Sequence, residues 1–280
     1  MLKMNKPMNT SASKSDIEIT VDSRGNRLEP VAGDRPAMGG TPAVTPLGEN
    51  VRMHTEARQI WERETHAYAV SHQRLGIVLQ AALAVCPGAI LELGCGVGVL
   101  RSSLRTRAPS VRYFGCDVAA SAVALISDPD VVQSDLNVDP VPFAGQQFDC
   151  VIGSGIMEYL SDVPNVLRQC RERLKPGGAL VVSYYNMFHV WRQYERWRGR
   201  EPHRHPTWAN EYSFRELRQV LRDAGFRIHR EYPAVIGLGH PHANADRIMD
   251  ANVPHLPRRV PFQSYLAYEL VFSCRALGAA

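Results

Sequence analysis

The chain reads as an α/β protein built on a mostly parallel sheet, and three observations carry that reading. Between Ile90 and Tyr184, short apolar segments alternate with helical ones. The apolar segments are nearly continuous rather than alternating apolar with polar, as strands covered on both faces require. A glycine-rich turn, Gly94-Cys95-Gly96-Val97-Gly98, directly follows the first of them.

The elements follow in order. Residues 1–50 contain no Phe, Trp or Tyr and are rich in Gly, Pro, Ser and Thr. Such a segment offers too little apolar surface to offset its ordering entropy, so a flexible tail is expected there, with room for a small hairpin around Ile17, Ile19 and Val21. From Val51 the pattern turns helical. Ile60, Trp61, Glu64 and Tyr68, then Leu75, Val78, Leu79, Ala82 and Leu83, recur at i, i+3, i+4 spacing. Residues 51–85 are therefore expected to form a helical cap, ended by Pro87-Gly88. Strands are expected over Ile90–Leu93, Val111–Cys116, Val131–Gln133, Phe148–Ile152 and Leu180–Tyr184, with helices near Gly98–Arg107, Ser121–Ile126 and Val163–Leu174. Lys175-Pro176-Gly177-Gly178 stops the last of these helices. An aromatic and arginine-rich insertion covers about residues 187–212. Ser213-x-x-Glu216 has the form of a capping box opening a helix over Phe214–Ala224, with Gly225 closing it. Arg227–Val235 and Ser264–Arg275 read as two long strands joined by a His/Pro-rich loop, so residues 86–280 make up the sheet domain.

Composition narrows the function classes. The 280 residues carry 32 Lys+Arg against 28 Asp+Glu, a net charge of +4, with 45% hydrophobic residues. That is the balance of an ordinary globular protein and argues against nucleic acid as the partner, which calls for a clear basic excess. The most apolar stretch, Ile77–Leu93, is interrupted by Gln80, Pro87, Gly88 and Glu92, so no membrane span is expected. The six cysteines show no CxxC pair and no disulfide-framework spacing. Free thiols in a reducing compartment, and a cytoplasmic location, are expected.

The glycine turn is where chemistry is expected, because open α/β sheets bind ligands at the carboxyl ends of their strands and glycine lets backbone approach closely. The dinucleotide fingerprint GxGxxG fails in both registers, since Val99 and Arg101 stand where the third glycine is required. No Gly-Lys-Ser/Thr of a phosphate loop is present either. Instead, Glu92-x-Gly94-x-Gly96-x-Gly98 resembles the first motif of class I S-adenosylmethionine-dependent methyltransferases. The resemblance continues through Asp117 at the end of the second strand, Ser134-Asp135-Leu136 at the end of the third, and Phe148–Ile152 running into Gly153–Tyr159. Leu174-Lys175-Pro176-Gly177-Gly178 before the fifth strand belongs to it as well.

The resemblance implies a Rossmann-like, seven-stranded, mostly parallel sheet with an antiparallel C-terminal strand and helices on both faces. It implies S-adenosyl-L-methionine as cofactor, held by Glu92, Gly94, Cys95, Gly96, Gly98, Asp117, Val118, Asp135, Leu136, Ser154 and Gly155. Asp117 is the expected partner of the ribose hydroxyls, and the Asp135–Leu136 pair of the adenine. Within the family, Val182–Trp191 is similar to the fifth-strand exit of methionine-biosynthesis protein W-like methyltransferases, with Tyr185 in place of their proline and one extra residue between His189 and Trp191.

A methyl already activated on sulfonium needs mainly proximity and orientation, so catalytic residues are few. Glu158, Tyr159, Tyr185 and His189 follow the fourth and fifth strands. His189 is the expected proton acceptor, with packing or helix capping as its alternative role. Tyr68 or Arg74 of the cap is placed to touch cofactor or substrate. The insertion Trp191–Arg200 reads as an amphipathic lid, and His203-x-His205 and His240-x-His242 as loop histidines without a metal. The expected activity is methylation of an oxygen or nitrogen on a small-molecule acceptor. The alternatives are RNA or protein methylation through the aromatic–arginine insertion, and a non-catalytic partner protein. Oligomeric state is left unassigned.

Overall fold

A computed structural model describes residues 58–63, 72–85, 87–202, 205, 207–239, 248 and 250–277, all within the unit Pro46–Ala280. The expected tail, Tyr68, and His203, His240 and His242 lie outside the described residues.

Residues 58–63 form helix α1, followed by α2 (Gln73–Leu83), β1 (Ala89–Leu93), α3 (Val99–Arg107), β2 (Arg112–Asp117), α4 (Ala120–Ile126) and β3 (Val131–Gln133). Then come β4 (Phe148–Gly153), a 3-10 turn (Met157–Tyr159), α5 (Val163–Arg173), β5 (Leu174–Tyr185), α6 (Val190–Trp197) and α7 (Phe214–Asp223). The chain continues through β6 (Phe226–Ile236), α8 (Gln263–Leu266) and β7 (Ala267–Ala276). The seven strands form one sheet in the order β3-β2-β1-β4-β5-β7-β6. Pairs among β1 to β5 are parallel, and β7 runs antiparallel to both β5 and β6.

The central strands β1 and β4 are almost continuously buried because both faces are covered. Ile90 points into a cluster with Ile77, Val78, Leu100 and Leu104 of α2 and α3. Its neighbours Leu91 and Leu93 point into the opposite cluster, with Val166 and Leu167 of α5 and Leu217 and Leu221 of α7. The two-residue period of a strand thus splits one apolar run between two cores. The capping box at Ser213 is formed: the Ser213 hydroxyl accepts from Glu216 N–H, and the Glu216 carboxylate from Ser213 N–H.

Two boundaries differ from the sequence pattern. Lys175–Gly177 does not end an element but bulges out, exposed, within β5. The register jumps there, so Leu174 pairs with Phe148 and Ala179 with Cys150. The last strand starts at Ala267 rather than Ser264, because residues 263–266 are wound into the short α8. Asn186 Nδ2 holds that turn by donating to Ser264 O (3.1 Å) and Ala267 O (2.7 Å), a bond across about eighty residues that local pattern does not reveal.

Strand order reverses at β1, which lies between β2 and β4. A crevice is left outside the carboxyl ends of the strands at such a point, and the glycine turn opens into it.

Candidate active site

A cavity of about 360 Å³ fills that crevice. Its first half is built by the turn after β1. Gly94, Gly96 and Gly98 have φ of +67°, +51° and +80°, a region that L side chains rarely adopt. Their surroundings separate their roles. A Cβ on Gly94 would come within 2.8 Å of Ile156 Cδ1, whereas a Cβ on Gly96 would meet nothing within 4 Å and would project into open space at the cavity wall. Gly98 is not on the wall; it is the left-handed residue that starts α3.

Asp117, at the end of β2, clamps this turn. Its Oδ2 accepts from Gly96 N–H at 2.7 Å and its Oδ1 from Ala119 N–H at 2.9 Å. Burial pushes its pKa up, and those two amides pull it back. Glu92 lies beneath the turn, buried, accepting a bond from Tyr113 O–H. Burial raises its carboxyl to about 8, against the pull of the tyrosine. Val118, Asp135 and Leu136 border the same half of the cavity. Gly155 N–H donates to Ser183 Oγ at 2.8 Å, and the buried Ser154 hydroxyl has no hydrogen-bond partner.

The second half is aromatic and charged. Trp61 of α1 stands edge-on to Tyr159, ring centroids 4.9 Å apart, and is stacked on His205 at 5.3 Å. Tyr185 and Trp208 form another wall, with Arg192 lying over both rings at 4.9 and 5.6 Å. Three charged groups converge here from three elements. Arg74 of α2 donates to Glu269 Oε1 of β7 at 2.9 Å, and its guanidinium covers Gly155 so closely that a Cβ there would lie 2.9 Å from Cζ. Burial opposes its charge, but Glu269 and Glu158 beside it hold the guanidinium above its ordinary pKa. Glu158, on the 3-10 turn and 4% exposed, accepts from Tyr185 N–H through Oε1 at 2.5 Å. Burial lifts its carboxyl to about 7, Glu269 adding to the rise and Arg74 opposing it. The second oxygens of Glu158 and Glu269, and Arg74 Nε, are buried without a hydrogen-bond partner among the described residues.

The structure therefore gathers Glu92, Gly94, Cys95, Gly96, Asp117, Val118, Asp135, Leu136, Ser154, Gly155, Glu158 and Tyr159 around one cavity. It does not bring His189 there. That side chain, 1% exposed, starts α6: Nδ1 accepts from Trp191 N–H at 3.1 Å, and Nε2 faces the carbonyls of Gly237 (3.0 Å) and Leu266 (3.3 Å). A ring nitrogen facing two carbonyls is a donor, so the proton sits on Nε2. Stacking on Tyr268 at 4.4 Å completes the enclosure, and burial lowers the imidazole pKa. The expected role of His189 as proton acceptor is corrected on this geometry, because both nitrogens are engaged away from the cavity. Among the described residues no group of three or more His, Cys, Asp or Glu side chains is disposed to hold a metal.

Glu269 was missed from sequence, although it left a signal: it is the single charge in the run Ala267–Cys274. Asn210 was missed too. It fastens the segment after α6 to the 3-10 turn, donating to Met157 O (2.7 Å) and Leu160 O (2.8 Å) and accepting from Tyr184 O–H (2.7 Å).

Comparison with known proteins agrees with this architecture. The ubiquinone biosynthesis O-methyltransferase of Cereibacter sphaeroides is 31% identical over 104 residues, 35% of this chain and 41% of that protein. The enzyme of the same name from Escherichia coli O127:H6 is 27% identical over 157 residues, 51% of this chain and 65% of that one. The chain thus spans between two fifths and two thirds of the length of these relatives. Among solved structures, Burkholderia thailandensis 1,6-didemethyltoxoflavin-N1-methyltransferase superposes with a TM-score of 0.54 at 14% identity, over 85% of this chain and 93% of that one. A Thermotoga maritima methyltransferase described as a possible histamine N-methyltransferase gives 0.51 at 18% identity, over 80% and 98%. Both structural likenesses speak to the fold. The family model described as a methyltransferase domain matches residues 60–231, more than half of the chain, and with the sheet order and glycine turn above, the chain belongs to the class I S-adenosylmethionine-dependent methyltransferases.

Proposed function

We propose that the protein transfers a methyl group from S-adenosylmethionine to a nitrogen or oxygen of a small-molecule acceptor. One observation carries the reading: a single cavity joins the glycine turn to an enclosed aromatic and acidic end. Its volume of about 360 Å³ is in the range of small-molecule sites rather than of a macromolecular groove. The names of the relatives support small-molecule chemistry, since ubiquinone and 1,6-didemethyltoxoflavin are both small molecules.

The residues fit the cofactor. Gly96 presents bare backbone where any side chain would fill the cavity, and Ser154 keeps a buried hydroxyl without a partner. Each Asp117 oxygen has accepted one amide and retains a lone pair for a ribose hydroxyl. In this reading Gly94–Gly96 and Ser154 hold the amino-acid end, Asp117 the ribose, and Asp135 and Leu136 the base. When bound, the cofactor supplies a methyl group already activated on sulfur. The chain then has to orient the acceptor, exclude water and take up a proton. Glu158 is the proton acceptor of this scheme, because it is the buried carboxyl in the acceptor half with an unfilled oxygen and a pKa of about 7. Tyr159 lines the acceptor beside it.

Calorimetric titration with S-adenosylmethionine and S-adenosylhomocysteine tests the assignment. Micromolar binding of both is expected, lost in Gly96→Val, which still unfolds cooperatively but melts lower because a β-branched residue is strained at φ +51°. Absence of binding, or equal binding by Gly96→Val, overturns it.

A further inference from the structure

The two halves of the cavity are not equally furnished, and the acceptor half carries an unusual set of unfilled polar atoms. Glu158 Oε2 and Glu269 Oε2 are acceptors without donors, and Arg74 Nε is a donor without an acceptor. Leaving two such oxygens buried without a donor is costly. Glu158 and Glu269 both line the cavity, where a ligand can supply the missing donors. The complement the two oxygens ask for is a group with at least two hydrogen-bond donors.

Charge narrows the class. Arg74 is committed to Glu269 at 2.9 Å, and Glu158 lies close enough to act on it, so the trio carries one net negative charge when both carboxyls are ionised. The other arginine at the cavity, Arg58, is exposed and acts on Glu62 of its own helix. A carboxylate or phosphate on the acceptor would face two carboxylates, while Arg74 beside them is already engaged by Glu269 and Arg192 is turned onto the Tyr185 and Trp208 rings. A cation would neutralise the trio, and Trp61 and Tyr159 make the same end of the cavity aromatic.

From this arrangement we infer that Glu158 and Glu269 form a two-point receptor for an amino group of the methyl acceptor, with the Tyr185 amide holding Glu158 and Arg74 holding Glu269 in place. The inference rests on the acceptor half of the methyltransferase reading above and gives it a substrate class: an amine of small-molecule size, methylated on nitrogen. An amine that enters as ammonium has no lone pair to offer until one proton leaves. Glu158 Oε2 is the acceptor for that proton, which leaves Glu158 neutral and the nitrogen free. Glu269 stays paired with Arg74.

The test uses the full chain saturated with S-adenosylhomocysteine, titrated calorimetrically with benzylamine, benzyl alcohol and benzoate, three probes of nearly equal size that differ in the polar group. At pH 8 benzylamine is expected to bind at least tenfold more tightly than the other two. Glu269→Gln and Glu158→Gln are each expected to reduce that preference to threefold or less while S-adenosylhomocysteine affinity is kept and unfolding remains cooperative. Equal or tighter binding of the alcohol or the carboxylate, no binding of benzylamine, or an unchanged preference in both variants overturns the inference. Failure of S-adenosylhomocysteine itself to bind instead overturns the methyltransferase reading, so the two failures are separable.

Discussion

Replacing Glu158 with glutamine isolates the energetic consequence of burying a carboxyl in the acceptor half. Burial raises this carboxyl from the ordinary 4.5 to about 7, with Glu269 adding to the rise and Arg74 and the Tyr185 amide opposing it. A folded-state pKa above the unfolded value means that the native protein binds more protons between the two, so stability is present at low pH and falls as pH rises. Between pH 5 and pH 8 the ionisation of Glu158 removes roughly 2–3 kcal/mol, at 1.36 kcal/mol per pKa unit. Glutamine keeps the carbonyl that accepts from Tyr185 N–H and does not ionise. Its amide leaves a donor where Oε2 was, so the variant starts less stable at pH 5. The wild-type curve then descends toward the variant's as pH rises, and their difference changes by that same roughly 2–3 kcal/mol. For a domain of this size the change appears as about 4–12 °C in the gap between the two melting temperatures. Glu92, buried beneath the glycine turn and raised to about 8, titrates in both proteins and cancels in the comparison. Thermal unfolding of both, followed by circular dichroism at half-unit steps from pH 5 to pH 8, reads the difference directly. Parallel curves would show that Glu158 is ionised in the native state throughout, and the proposed proton acceptor would lose its physical basis.

Two further outcomes follow from the same geometry. Asp117→Ala removes the acceptor of the Gly96 and Ala119 amides, so it is expected to weaken S-adenosylhomocysteine binding at least tenfold and to destabilise the fold by about 1.5–3 kcal/mol, measured by calorimetry and urea unfolding. Unaltered affinity would dissociate Asp117 from the cofactor half. His189→Ala is expected to cost about 2–4 kcal/mol through the lost helix cap, carbonyl bonds and ring stack, with S-adenosylhomocysteine affinity of the folded protein within twofold of wild type. Unchanged stability with loss of methyl transfer would return His189 to the chemistry.

Much of this protein is determined by local sequence. Continuous apolar runs specify buried parallel strands, a capping box specifies the start of α7, and a turn with glycines at 94, 96 and 98 specifies where backbone must take positive φ. These are short-range constraints, each set by a few dihedrals or by a two-residue period, so they can be read without knowing what lies across the sheet. The cavity wall around the glycine turn was legible for the same reason, since its residues sit at strand ends within one contiguous α/β stretch.

The acceptor half was not, because its members come from distant parts of the chain. Arg74 and Glu269 are separated by 195 residues and meet only because β7 inserts between β5 and β6 while α2 packs across the sheet. His189 illustrates the converse. Its place after β5 suggested chemistry, yet the carbonyls of Gly237 and Leu266, brought beside it by β6 and α8, claim its Nε2. Which buried polar groups are satisfied and which are left open is a property of long-range packing. Residue type supplies the donors and acceptors; the tertiary fold alone decides which of them remain for a substrate.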